Sequence, residues 1–194
     1  MGYEDGLLQI IDEKGKITTS PEITNFNQTG EKRINHIYEY NNKLYLSTSF
    51  AIVVYDIENL EFGDTYFIGA GSSDEKINQI AVFDNRIYAA TSSGIYIANA
   101  NNPNLIDFNN WTLRFPGNYT NITVFNNQLL ASRNNELILV QGPTISTLRT
   151  FSEEIQGLKS STSSLSIALK TSAVILDKRL TQITQVNQTS SFSF

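Results

Sequence analysis

The segment INHIYEYNNKLYLSTSFAIVVYD at 34–56 lies over INQIAVFDNRIYAATSSGIYIAN at 77–99 without a gap, at an offset of 43. This internal repeat decides the fold. Ile34, Asn35 and Ile37 meet Ile77, Asn78 and Ile80; Tyr40 meets Phe83; Asn42, Tyr45 and Thr48 meet Asn85, Tyr88 and Thr91. A third copy follows at an offset of 42, with Ile122, Phe125, Asn127, Leu129 and Ala131 in the places of Ile80, Phe83, Asn85, Ile87 and Ala89. A fainter fourth comes after a further 36, where Leu158, Leu165, Ile167 and Val174 replace Ile122, Leu129, Ala131 and Ile138. Ahead of the first copy, Gly6 to Asp12 reads like the second half of another unit.

Within each copy the period is that of strands. In Lys43 to Thr48 the apolar side chains alternate between two faces with polar ones interrupting, and Ile52 to Tyr55 is strongly β-forming. A short polar turn recurs between the first two strands, at Asn41-Asn42, Asp84-Asn85, Asn126-Asn127 and Ser163-Ser164. Asn tolerates the left-handed backbone of a two-residue hairpin, so the recurrence predicts an antiparallel hairpin in every copy. A second turn falls at Ser49-Phe50 and at Ser92-Ser93-Gly94, where glycine takes positive φ without steric cost. For the second copy the strands are expected at 77–83, 86–91, 94–98 and 111–115. The outer strand is expected at Thr65 to Ile68 in the first copy and Thr147 to Phe151 in the third.

Four strands recurring every 36 to 43 residues are the signature of a β-propeller, because each small sheet must stack on its neighbours to bury both faces. The expected fold is therefore all-β, with four-stranded antiparallel blades in one partial domain. Its units are 1–31 (incomplete), 32–75, 76–117, 118–154 and 155–187. Four starts could close a small ring. The incomplete first unit and the fading last one instead favour a fragment, an open arc of a larger ring, with apolar blade edges prone to association.

Composition narrows the function. Charged residues make up only 17% of the chain and the net charge is −5, with the basic residues scattered, so no phosphate-tracking surface for nucleic acid is expected. There is no cysteine, which removes disulfides, thiolate nucleophiles and cysteine-held metals. The sequence contains neither a leader-like start nor an apolar run long enough for a membrane span. No cofactor is expected.

The run KRINHIYEYNNKLYLSTSFAIVVYDIENLEFGDTYFIG at 32–69, followed by NRIYAATSSGIYIANANNPNLIDFNNW at 85–111, resembles the N-terminal β-propeller region of PorZ-type proteins. YEDGLLQIIDEKGKI at 3–17 is similar to the blade segment that comes just before it there, and the resemblance weakens beyond about residue 140. Those proteins are outer-membrane-surface components of the type IX secretion system in Bacteroidetes, within a wider group that includes the sensor propellers of hybrid two-component regulators. The resemblance implies a larger parent with a C-terminal β-sandwich. It also implies a non-catalytic binding and assembly role in cargo modification or attachment, with other secretion proteins or surface polysaccharide as partners and recognition of anionic lipopolysaccharide. The location implied is extracytoplasmic, at the outer-membrane surface. The alternative is a periplasmic, ligand-sensing propeller of a two-component regulator.

Single residues say less. His36 is the one histidine, and with no G-x-S-x-G motif it reads as a polar packing residue, not part of a triad. Asp56, Glu58, Glu61 and Asp64 lack the glycine turn of a calcium loop and read as solvated strand-end carboxylates. GAGSSDEK at 69–76 lacks the G-K-[ST] of a phosphate loop and reads as a connection between blades. Tyr40, Phe83 and Phe125 share one repeat position and are expected to pack between blades. The candidate partner contacts are aromatic side chains expected at the rims: Tyr38, Trp111 after the long Asn101 to Asn110 loop, and Tyr119.

Overall fold

The recurring polar turns do what their composition demands. Asn41 and Asn42 sit at φ 50° and 57°, Asp84 and Asn85 at 47° and 56°, and Asn126 and Asn127 at 47° and 57°. Positive φ at both central residues matches the twist of a tight antiparallel hairpin. The fourth turn differs: Ser163 and Ser164 keep negative φ, and a wider loop forms in which the Ser161 hydroxyl accepts from the backbone N–H of Ser163 and Ser164. Serine is poorer than asparagine in the left-handed region and caps with its hydroxyl instead.

The computed structural model describes residues 1–187. A leading hairpin, β1 (Leu8–Ile11) and β2 (Ile17–Ser20), is followed by one helical turn, α1 (Glu22–Asn25). Four antiparallel sheets of four strands come next. The first holds β3 (Ile34–Tyr40), β4 (Lys43–Thr48), β5 (Ile52–Asp56) and β6 (Glu61–Tyr66), and the second β7 (Ile77–Phe83), β8 (Arg86–Thr91), β9 (Gly94–Asn99) and β10 (Thr112–Pro116). The third holds β11 (Asn121–Phe125), β12 (Gln128–Arg133), β13 (Glu136–Gln141) and β14 (Thr144–Thr150), and the fourth β15 (Ile155–Ser160), β16 (Leu165–Leu169), β17 (Ser172–Leu176) and β18 (Gln182–Asn187).

The outer strand of the first sheet starts earlier than the sequence suggests. Asp56 Oδ1 accepts from the backbone N–H of Glu58 and Asn59, both at 2.9 Å, and Leu60 takes φ 54°. This Asx turn reverses the chain within a few residues. Of the acidic run expected as strand-end carboxylates, Asp56 is thus the turn's cap.

The apolar core is divided, and each part lies between sheets. Leu8 and Ile23 from the leading unit join Leu46 and Val53 of the first sheet. Ile52 and Tyr66 of the first sheet join Ile80 and Ile87 of the second. Tyr88 and Ile95 of the second join Ile122 and Leu129 of the third, and Leu137 and Leu139 of the third join Leu158 and Ile167 of the fourth. Tyr40, Phe83 and Phe125, which share a repeat position, pack into three different seams of this series. A four-stranded sheet cannot hide its own apolar faces, so stacking is what makes each one stable. The innermost strands β3, β7, β11 and β15 stand in chain order around a channel, each against the next. Among the described residues the first and fourth sheets do not join, and the sheets form an open arc, not a closed ring.

The channel mouth as candidate functional site

Ladder register explains how the inner strands aim their side chains. Ile34 pairs with Thr48 and His36 with Ser47, leaving Asn35 as an extra residue. In the same way Ile77 pairs with Thr91 and Gln79 with Ala90, leaving Asn78 over, and Gln156 is left over between Ile155 and Gly157. Such a bulge redirects its side chain out of the ladder. Asn35 Nδ2 donates to the Ile77 carbonyl of the next inner strand at 2.9 Å, and Asn78 Nδ2 donates to the Tyr119 carbonyl at 2.8 Å. The repeated Ile-Asn pair seen in the sequence is therefore a clamp between successive blades.

Beside the clamps runs a second chain of bonds. Gln79 Oε1 accepts from the backbone N–H of Ile122 at 3.0 Å, so its amide nitrogen faces His36 Nε2, 3.2 Å away. The amide nitrogen can only donate, which makes Nε2 the acceptor and assigns the ring proton to Nδ1. Nδ1 is buried without a partner. Burial, with the nearby Lys159 ammonium adding to it, lowers the imidazole pKa from 6.5 to about 4. His36 is thus a neutral member of a relay across three blades, and its role exceeds simple packing.

A third device sets the local charge. Ser49 Oγ donates to Glu31 at 3.1 Å, Ser93 Oγ donates to Glu75 at 3.0 Å, and Thr171 Oγ1 donates to Glu153 at 2.7 Å. Each carboxylate lies just ahead of an inner strand and reaches the second turn of its own blade, eighteen residues on. Three acids near the channel mouth, Glu31, Glu75 and Glu153, are thereby committed to turns. What remains is a cavity of about 300 Å³ lined by Arg33, Lys76 and Lys159, by carboxamides such as Asn35, Asn78 and Gln156, and by no carboxylate. A smaller cavity of about 170 Å³ continues it past His36 and Tyr38 to Thr123 and Ser160.

The structure separates the three candidate aromatic contacts. Tyr38 is half-buried, borders the deeper cavity and lies 6.4 Å from the His36 ring. Trp111 and Tyr119 are not at a rim, and the expectation of exposure is corrected for both. Trp111 is 6% exposed; its Nε1–H donates to the Leu105 carbonyl at 2.9 Å, and its ring lies 6.1 Å from that of Tyr66. The polar loop before it is held by Asx turns at Asn99, Asn102 and Asp107, which fold Leu105 and Trp111 into the seam between the first two blades. Tyr119 is 0% exposed and packs with Ile122 and Ala131 in the next seam. It directly precedes the third inner strand, and the Asn78 clamp closes on its carbonyl. Sequence reasoning missed Lys76, Lys159 and the Asn clamps as a set, although Arg33 and Lys76 are separated by the repeat offset of 43.

Comparison with known proteins agrees with this architecture. PorZ, a surface component of the type IX secretion system of Porphyromonas gingivalis, superposes with a TM-score of 0.78 at 21% identity, over 95% of this chain and 25% of that one. The β-propeller domain of Cps50 (Swd1) from Myceliophteria thermophila superposes at 0.57 and 12% identity, over 81% of this chain and 56% of that one. A chain of a mitotic checkpoint complex does so at 0.64 and 10% identity, over 97% and 65%. At these identities the likeness is one of fold. The chain spans about a quarter of the PorZ chain it matches. No curated protein matches the sequence. Residues 1–112 match the family described as the N-terminal β-propeller domain of PorZ of the type IX secretion system. That match covers more than half of the 194 residues, and the chain belongs to this family of PorZ N-terminal β-propeller domains.

Proposed function

We propose that the chain is a non-catalytic binding and assembly module of a type IX secretion system component, acting outside the cytoplasm at the outer-membrane surface. The observation that carries this reading is the family match over residues 1–112, joined to a superposition on PorZ that runs through 95% of the chain. It favours a secretion role over that of a periplasmic sensor. The bonding of His36 supports a non-catalytic role: the one histidine is neutral, its Nε2 is tied to Gln79, and it has no carboxylate or hydroxyl partner among the described residues. A general base needs a free lone pair within reach of a substrate proton. No helix among the described residues is long and apolar enough to cross a membrane, so a surface location would be secured by other parts of the parent protein or by its partners.

In this reading the channel mouth and the exposed apolar residues of the outer strands, Leu148, Ile183 and Val186, offer the contacts. Other secretion proteins and surface polysaccharide, including anionic lipopolysaccharide, are the partners, and cargo modification or attachment is the process served. The test is an in-frame deletion of the arc from the parent gene. Attachment of secreted cargo to the cell surface and co-purification of the parent with secretion components are then measured, with parent abundance as the control. Loss of both at normal abundance supports the role, and unchanged attachment overturns it.

A further inference from the structure

Acidic residues outnumber basic ones by 19 to 14 in this chain, yet the cavity at the channel mouth is lined by three cations and no carboxylate. Arg33 is answered by Glu4 at 3.2 Å. Lys76 and Lys159 have no ion pair among the described residues. Of the acids that flank the mouth, Glu31, Glu75 and Glu153 accept from turn hydroxyls, and the exposed Glu154 lines an adjoining cavity that shares Thr120 and Gln156 with the mouth but does not line the mouth itself. We infer that the mouth is a binding site for a compact oxyanion, a carboxylate or phosphate group, gripped between Lys76 and Lys159.

The surroundings strengthen that grip. The deeper cavity, which Lys159 also lines, sets Ile80, Ile122 and Leu158 among polar side chains, and these low-dielectric stretches of wall help focus the field of the cations into the opening. The bulged Gln156 reaches the cavity with no hydrogen-bond partner among the described residues, leaving its amide N–H groups to orient an oxyanion. A volume of about 300 Å³ stands at the small end of ligand pockets, which suits an anion of a few heavy atoms over a long chain. The inference goes beyond the secretion role and holds whichever partner the module meets.

The single histidine makes the test site-specific. The chain is titrated with citrate, inorganic phosphate and glucuronate in turn at constant ionic strength. The imidazole proton resonances of His36 are followed by NMR and the heat by calorimetry. The expected result is a saturable shift of His36 with at least one probe. Lys76→Gln and Lys159→Gln are each expected to weaken binding about five- to tenfold and together to abolish saturation. Lys178→Gln, at an exposed turn of the fourth sheet, leaves it unchanged. The three probes separate a free polycarboxylate, a phosphate and a carboxylate carried on a sugar. The inference is overturned if no probe gives a saturable shift, if the shift persists in the double variant, or if chloride reproduces it. All three substituted lysines are exposed, so the fold is retained, and Trp111 fluorescence verifies this.

Discussion

His36 should make this protein lose stability in mild acid by an amount that one substitution removes. In the folded chain its imidazole pKa is held down from 6.5 to about 4, whereas in the unfolded chain it returns to about 6.5. Between those values the unfolded state binds a proton that the folded state refuses, so the free energy of unfolding falls as the pH falls through this window. The contribution is fully present above about pH 6.5 and fully lost below about pH 4. A gap of about 2.5 pH units corresponds to about 3 kcal/mol, of which about 2.5 kcal/mol has gone by about pH 4.5. The physical cost is that of charging a buried ring whose Nε2 must stop accepting from Gln79 while the Lys159 ammonium stands nearby. Urea unfolding at about pH 7 and about pH 4.5 measures it, with His36→Gln as the reference. The second blade already carries glutamine at this register position, so the variant keeps an acceptor toward Gln79 and cannot titrate. Carboxylates also protonate near pH 4.5, but they do so in both proteins, and the difference between the two slopes isolates the imidazole. Equal losses in wild type and variant would refute the account.

Other consequences are as specific. Asn35→Ala and Asn78→Ala each remove a side-chain donor between inner strands and should cost about 1–2 kcal/mol; the double variant should show their sum in chemical denaturation, because the two bonds lie in different seams. Gly94 sits at φ 156°, and a Cβ there would come within 2.4 Å of the Phe115 carbonyl oxygen. Gly94→Ala should therefore destabilise by about 2–4 kcal/mol, read as a lowered Tm. Ser47 Oγ is buried without a partner, and its place in the second sheet is taken by Ala90. Ser47→Ala should leave the fold intact and raise stability by about 1 kcal/mol, measured the same way.

The blades were legible because two signals coincide at a fixed offset: alternation of apolar side chains, and an Asn or Asp turn that tolerates positive φ. Where the turn chemistry changed, the reading slipped. The Asx turn at Asp56 moved the first outer strand to Glu61–Tyr66, and serines at 163 and 164 gave a wider loop. Burial of the aromatics was harder to read, since it depends on which neighbouring sheet covers a residue. For Tyr119 the information was present: the offset of 42 that sets Ile122 on Ile80 also sets Tyr119 on Ile77, which is fully buried. Trp111 has no counterpart in the other copies, and nothing in its neighbourhood announced that Leu105 would fold over to accept its N–H. The channel site was hidden for a similar reason. Arg33 and Lys76 recur at the repeat offset, but Lys159 joins them only through the curvature of the arc, and the committed state of the neighbouring glutamates depends on turns eighteen residues away.

The placement of every greasy seam between sheets, and none inside one, has a consequence for how such a molecule can change over generations. A substitution in one seam is felt by the two sheets that share it and fades beyond them. A sheet at either end of a row has one neighbour, and one in the middle has two, so the ends are where whole sheets can be gained or shed with the least disturbance. Lineages can thus lengthen or shorten the row while the contacts around the axis keep their form.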